Sequence, residues 1–306
     1  MKLLFPARTD VVRQDYDVRS ALVRDGLHTD GQTMEILLKL LAGGGGMYAA
    51  LLAAMFMLQD GMIYFPGTGR AMERTPEDAG LAYETVWLTT EDGVRIEAWY
   101  VPAPAARGVA LLTHGNAGNI SHRIEYAALF QRLGYSILML EYRGYGRSEG
   151  KPSEEGTYAD ARAAWRHLTT ERGYAAGRIV LVGESLGGAV AAHLAAEEQP
   201  GALVLVSSFI SVPELAAELY PWMPARQLAR YRYDTLASLD SVSCPVLVAH
   251  SRQDDIVPFR HGQQLFGAAR EPKASLEMTG GHNEGFLFTR PAWGEEPGRF
   301  LNHHIP

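Results

Sequence analysis

The chain has 306 residues, 47% of them hydrophobic, and a formal net charge of −7. That length and apolar content fit one large α/β domain, and the acidic balance, without a basic patch interleaved with aromatics, argues against nucleic acid as a partner. Cys244 is the only cysteine, which excludes an internal disulfide or a cysteine-based zinc site. In Ser243-Cys244-Pro245 it reads as a small core residue.

Residues 1 to 33 read as a polar N-terminal extension, with Met34 as an alternative start. From Leu40 to Leu58 there follow nineteen residues without a charge, enough for ~28 Å of helix at ~1.5 Å per residue. The glycines at 43 to 46 would each cost up to ~1 kcal/mol in a soluble surface helix, whereas lipid-embedded helices tolerate them. Residues 34 to 60 therefore read as a membrane anchor. A cleaved signal peptide, for which no clean A-x-A site follows, and a helix buried on the domain are the competing readings. Lys2, Arg8, Arg13, Arg19, Arg24 and Lys39 precede the span, against Arg70 and Arg74 after it. This imbalance predicts a single-pass topology with a cytoplasmic N-terminus and an extracytoplasmic domain over 61 to 306; a start at Met34 leaves Lys39 alone but adjacent to the span.

After the anchor, Gln59-Asp60-Gly61 ends the apolar run. Ile63 to Gly67 reads as an aromatic collar, where the chain leaves a membrane or packs on the domain. Glu84 to Val101 alternates apolar and polar residues on either side of Asp92-Gly93 and predicts a hairpin. Five continuous apolar runs follow, at 109–113, 136–140, 179–182, 203–206 and 246–249, spaced by helix-length segments. Strands buried on both faces look like this, and they predict a mostly parallel sheet with helices on each side. Prolines break the pattern between Phe209 and Ser243, which reads as a small helical cap inserted after the sixth strand. Its stretch Tyr220-Pro221-Trp222-Met223-Pro224 places Tyr220, Trp222 and Met223 as candidate substrate-binding residues.

The chemistry centres on Gly183-Glu184-Ser185-Leu186-Gly187, a G-x-S-x-G between the run Ile179 to Val182 and an Ala-rich helix. A strand reversing into a helix around one serine has no room for side chains on either flank, which explains the glycines. A solvated serine in a glycine turn is the blander reading, but the strand before and the helix after favour a nucleophile. A serine hydroxyl needs a base within hydrogen-bond reach, itself held by a carboxylate. His282 qualifies, in Thr279-Gly280-Gly281-His282 directly after the strand-like 274–278. His193 points away along the helix, His261 falls on a helix beginning near Phe259 and reads as a surface residue, and His303 and His304 lie at the end of the chain. Asp254 and Asp255 both sit in the loop after 246–249, whereas Asp234 and Asp240 fall in the cap. The glycine-rich turn His114-Gly115-Asn116-Ala117-Gly118-Asn119 can aim a backbone N–H at a reacting carbonyl beside that of Leu186. No Walker lysine follows it, so nucleotide binding is discounted.

Over about residues 58 to 290 the chain resembles the Bem46-like branch of the α/β-hydrolase superfamily. The resemblance is carried by Ile63 to Gly67, His114 to Asn119, Glu141 to Gly150, the elbow, Tyr220 to Pro224, the loop through Pro258-Phe259, and Gly281-His282-Asn283. It implies an acid four residues after His250, hence Asp254 rather than Asp255, and the N–H of Asn116 as the second oxyanion donor. Ser251 departs from the glycine usual after that histidine. The implied activity is hydrolysis of carboxylic esters or thioesters, of small molecules or lipids, with no metal or organic cofactor. A peptidase of prolyl-oligopeptidase type and a non-catalytic scaffold binding lipid or protein are the rival readings. Some relatives deacylate membrane proteins, but with cysteine-rich N-termini that this chain lacks.

Overall fold

The computed structural model describes residues 31–67 and 71–305, and the chain divides after Ala54 into two compact units. Most of the segment read as a polar extension, and Arg70, thus lie outside the described residues. In the first unit the described element is helix α1 (Gly31–Met57), which begins inside that extension and runs past the division. Its stretch Thr33–Met57 is long and apolar enough to cross a membrane. Leu37, Leu40, Leu41 and Met47 are all exposed, and the charges near its start, Glu35 and Lys39, pair with each other at 2.7 Å.

The second unit continues through α2 (Gln59–Ile63) to a hairpin of β1 (Glu84–Thr89) and β2 (Arg95–Val101), paired as the alternation predicts. Its turn closes with Gly93 in the left-handed region, where its N–H reaches the Thr90 carbonyl. Strands and helices then alternate: β3 (Gly108–Thr113), α3 (Ile124–Arg132), β4 (Tyr135–Leu140), α4 (Glu154–Arg166), β5 (Ile179–Glu184), α5 (Leu186–Glu198) and β6 (Ala202–Val206). The cap follows β6 as α6 (Val212–Leu219), α7 (Ala225–Leu228) and α8 (Thr235–Leu239). The chain returns to β7 (Val246–Ser251), α9 (Phe259–Ala268), β8 (Lys273–Met278) and α10 (Pro291–His304).

These strands form one eight-stranded sheet in the order β1-β2-β4-β3-β5-β6-β7-β8. Strand β2 is antiparallel to β1 and β4, and every other pairing is parallel. Strands β3 to β7 are buried at every position, which is why they read as unbroken apolar runs. Successive side chains serve opposite faces. Val109 and Leu111 join the layer under α4 and α5, with Ala161, Trp165 and Val190. Ala110 and Leu112 join the layer under α3 and α10, with Phe130, Phe300 and Leu301. Cys244 is buried in the first layer, and burial pushes its thiol up to about 12. Because the parallel strands share a direction, the loops after β3, β5, β7 and β8 emerge at one edge, and the candidate groups sit there.

Candidate active site

Ser185 stands between β5 and α5 with φ 52° and ψ −116°, a strained backbone for any side chain. Its N–H is held by the Val206 carbonyl at 2.8 Å. The flanking glycines have no freedom to be anything else. A Cβ on Gly183 would lie 2.4 Å from the Gly187 carbonyl oxygen, and one on Gly187 would lie 2.1 Å from the carbonyl oxygen of Thr113. The close packing of α5 on β3 and β5 thus fixes the turn and presents the hydroxyl at the sheet edge.

His282, in the loop after β8, brings Nε2 to 3.1 Å from the Ser185 Oγ. Its Nδ1 meets Asp254 Oδ2 at 2.8 Å. A carboxylate only accepts, so Nδ1 carries the proton and Nε2 is left to accept from the serine. The Asp254 side chain is fully buried, and its Oδ1 accepts the N–H groups of Ile256 at 3.0 Å and Val257 at 2.7 Å. Burial pushes this carboxyl up, but the His282 hydrogen bond and charge, together with those two N–H groups, hold it below the usual carboxylate range.

Asp255 points elsewhere and accepts the backbone N–H of His282 at 2.8 Å. The two neighbouring carboxylates therefore divide the histidine between them: one meets its ring, the other its main chain. Ser251, where the resemblance leads one to expect glycine, is buried and donates to the Gly280 carbonyl, tying the acid loop to the histidine loop. His250 packs under the same loop, its Nε2 donating to the Val257 carbonyl at 2.8 Å. Burial pushes its imidazole below the ordinary range.

The His114 to Asn119 loop passes beside the elbow; a Cβ on Gly115 would lie 3.5 Å from the Ser185 Cβ. Asn116 and Leu186 both line the cavity that opens over Ser185. The loop is held from beneath by buried groups of the Glu141 to Gly150 segment, to which the sequence assigned no role. Glu141 reaches His114 Nε2 at 3.0 Å and accepts the Ile120 N–H at 3.0 Å, and Tyr142 donates to the His114 carbonyl at 3.1 Å. From above, the Asn116 carbonyl accepts the Phe65 N–H at 3.1 Å and the Tyr145 hydroxyl at 2.8 Å. The Asn116 amide donates to the Ile63 carbonyl at 2.9 Å. The collar Ile63 to Gly67 thus packs on the domain and braces the loop that passes beside the serine.

The cavity has a volume of about 420 Å³, within the usual range for a small-molecule site. Its walls are largely apolar, with Phe209, Leu215 and Leu219 from the cap and Met55, Met62 and Ile63 from the segment before the sheet. Its only lining carboxylate among the described residues, Glu184, is paired with Arg123, whose Nε lies 2.7 Å from Oε2. Of the three cap residues taken from sequence as candidates, Tyr220 and Met223 line the cavity. Trp222 does not; it stands half exposed at the edge of the Tyr220 ring, because the short turn before α7 swings it outward. His261 is also corrected, since it is buried rather than on the surface. It accepts the Ile210 N–H at 3.2 Å and meets Glu218 at 3.0 Å, fastening α9 to the cap helix α6. His193 stacks on Tyr158 at 3.8 Å, away from the site, and Asp234 caps α8 by accepting the Ala237 N–H at 3.0 Å.

An eight-stranded, mostly parallel sheet carrying this edge is the α/β-hydrolase fold, and the protein is a hydrolase. A family model described as serine aminopeptidase, S33, matches residues 104–233. The chain is 34% identical over 292 residues to the α/β-hydrolase domain-containing protein WAV2 of Arabidopsis thaliana, covering 87% of this chain and 95% of that one. It is 31% identical over 235 residues to protein bem46 of Schizosaccharomyces pombe, covering 72% and 78%. Among solved structures, an esterase of Pyrococcus furiosus superposes with a TM-score of 0.67 at 20% identity, covering 80% of this chain and 100% of that one. The chain belongs to the Bem46-like α/β-hydrolases.

Proposed function

We propose that the protein is a serine hydrolase of carboxylic esters or thioesters, acting through an acyl-enzyme on Ser185. The observation that carries this reading is the hydrogen-bonded chain from Ser185 Oγ through His282, at 3.1 Å and 2.8 Å, to a buried Asp254. As the Ser185 oxygen bonds to the acyl carbon, its proton passes to His282 Nε2, and Asp254 stabilises the resulting imidazolium. The carbonyl oxygen, now negative, is received by the N–H groups of Asn116 and Leu186; such a donor is worth ~3 to 4 kcal/mol in the transition state. Collapse breaks the bond to the alcohol or thiol, which takes the proton from His282. A water molecule then attacks the acyl-serine with the same histidine as base, releasing the acid.

The cavity favours an acyl group over a peptide. An aminopeptidase needs an anionic anchor for a free ammonium, and Glu184 is already committed to Arg123 in a buried pair. Tyr220 and Met223 would contact the acyl moiety from the cap, taken at about residues 209 to 243, while 61 to 306 form the hydrolase domain. The segment from 34 to 60 would anchor the chain in a membrane, with the hydrolase on the extracytoplasmic side and 1 to 33 as a polar extension.

A fluorophosphonate probe tests the reading directly. It should label the wild type, and Ser185→Ala should abolish labelling together with hydrolysis of p-nitrophenyl esters. Equal labelling of both proteins would refute it, and faster turnover of aminoacyl amides than of esters would restore the peptidase reading.

A further inference from the structure

Large apolar side chains left exposed on the hydrolase unit gather in one place. Phe56, Phe65, Leu219 and Ile256 are each 40% to 46% exposed, yet all four also line the cavity over Ser185. A residue that is both exposed and lining sits at the rim. Trp222, 48% exposed, stands beside the lining residue Tyr220, and Leu58, 65% exposed, directly precedes the lining residue Gln59. Apart from Met57, 72% exposed between Phe56 and Leu58, Trp87 is the one exposed large apolar side chain of the unit outside this ring among the described residues, and the Arg95 guanidinium lies 4.0 Å from its ring centre. Single exposed apolar residues need no explanation, but a contiguous ring around a cavity marks a contact surface.

Chain continuity identifies what covers it. The uncharged run ends at Leu58, and the residues around that point form one wall of the cavity: Met55 and Phe56 before it, Gln59 and Met62 after it. That wall is bolted to the cap. The Gln59 amide donates to the Leu228 carbonyl at 2.9 Å and accepts the Arg230 N–H at 2.8 Å. One residue further along each segment, Tyr231 donates to Asp60, and the hydroxyls of Tyr64 and Tyr233 meet at 2.8 Å. A span ending at Leu58 therefore leaves the bilayer at the rim of the cavity. The rim carries Phe65, Tyr220 and Trp222, and aromatic side chains favour the membrane–water interface.

We infer that the mouth of this cavity is seated in the membrane surface, so that the partner of the apolar ring is a lipid bilayer and the acyl chain enters from it. The substrate class is a membrane-resident acyl ester. The chemistry rests on the serine-hydrolase reading and the placement on the anchor reading. In place of a tether of arbitrary length, the lining residues Met55, Phe56, Gln59, Met62, Ile63 and Phe65 are then part of the substrate path.

The test uses the full chain in phosphatidylcholine nanodiscs. The fluorescence difference between wild type and Trp222→Phe isolates Trp222. With dibrominated acyl chains that signal should fall at least twofold more than the remaining tryptophan signal; equal quenching places the ring against water or another protein and overturns the inference. In a second arm, the double variant Leu58→Ser and Trp222→Ser should hydrolyse water-soluble p-nitrophenyl acetate within twofold of wild type. The same variant should lose at least tenfold on diacylglycerol presented in phosphatidylcholine vesicles. Unchanged rates on both substrates, or equal losses on both, also overturn it. Should Ser185→Ala hydrolyse both esters at the wild-type rate, the serine-hydrolase reading fails, while bromolipid quenching still decides the position of the rim.

Discussion

Asp254→Asn is the most informative single change, because the surroundings dictate how the amide must sit. In the wild type, Oδ1 accepts two backbone N–H groups, from Ile256 and Val257, and Oδ2 faces His282 Nδ1. An asparagine must keep its oxygen toward the two N–H donors, since turning its NH₂ group there would set donor against donor in a fully buried site. The NH₂ group then faces Nδ1 and demands an acceptor. That selects the tautomer with its proton on Nε2, the atom that must accept from Ser185. The expected loss is about 10⁴ in kcat, or ~5.5 kcal/mol at ~1.4 kcal/mol per decade. Asp255→Asn keeps an acceptor for the His282 N–H and should change kcat by no more than about threefold. Removing that acceptor with Asp255→Ala costs one hydrogen bond, ~0.5 to 1.5 kcal/mol, or about 2- to 12-fold. Steady-state kinetics on a p-nitrophenyl ester, with circular dichroism to establish folding, decides the matter. A larger loss for Asp255→Asn than for Asp254→Asn would refute the reasoning.

Tyr145→Phe removes one of two donors on the Asn116 carbonyl and should lower kcat by about 2- to 12-fold with little change in KM, since one hydrogen bond of ~0.5 to 1.5 kcal/mol positions the loop proposed to receive the oxyanion; an unchanged kcat would show that Phe65 alone suffices. Gly187→Ala should cost ~1 to 3 kcal/mol or more, read as a lower urea midpoint or insoluble protein, because the new Cβ would lie 2.1 Å from a backbone oxygen of β3. His250, whose buried imidazole is pushed below the ordinary range, stays neutral in the fold while the unfolded chain takes up a proton as pH falls through ~6.5. Its contribution is therefore full above that pH and declines below it by up to ~1.4 kcal/mol per pH unit, until the folded form also protonates. Urea midpoints at pH 7.5 and 5.5 should accordingly differ less in His250→Gln than in wild type, and a steeper loss in the variant would contradict the sign.

Much of this molecule is legible without coordinates because the relevant physics is local. A strand covered on both faces must be apolar at every position, so β3 to β7 announce themselves as unbroken runs. A turn with no room for Cβ atoms on either flank of its serine must keep glycines there, and the loops that carry serine, acid and histidine leave the same edge of a parallel sheet. The apolar stretch from Leu40 to Leu58 is equally plain, because length without charge shows in the sequence alone, and it falls largely within a helix long and apolar enough to cross a membrane. Folding supplied what depends on partners far apart in sequence. Asp254 and Asp255 are neighbours of one chemical type, and what separates them is a loop 28 residues away, through the ring of His282 for one and its main chain for the other. Glu141 under His114 and Arg123 against Glu184 are pairs whose members carry no local pattern, since an isolated charge in sequence looks the same whether it will be solvated or buried against its complement. His261 looked like a surface residue for that reason, as its partner Glu218 lies 43 positions earlier, in the cap. The wall formed by Met55 to Ile63 belongs to the same class, joined to the cap across 171 residues by Asp60 and Tyr231. Hydrophobic periodicity records which face of an element is covered; which other element covers it is a property of the whole fold.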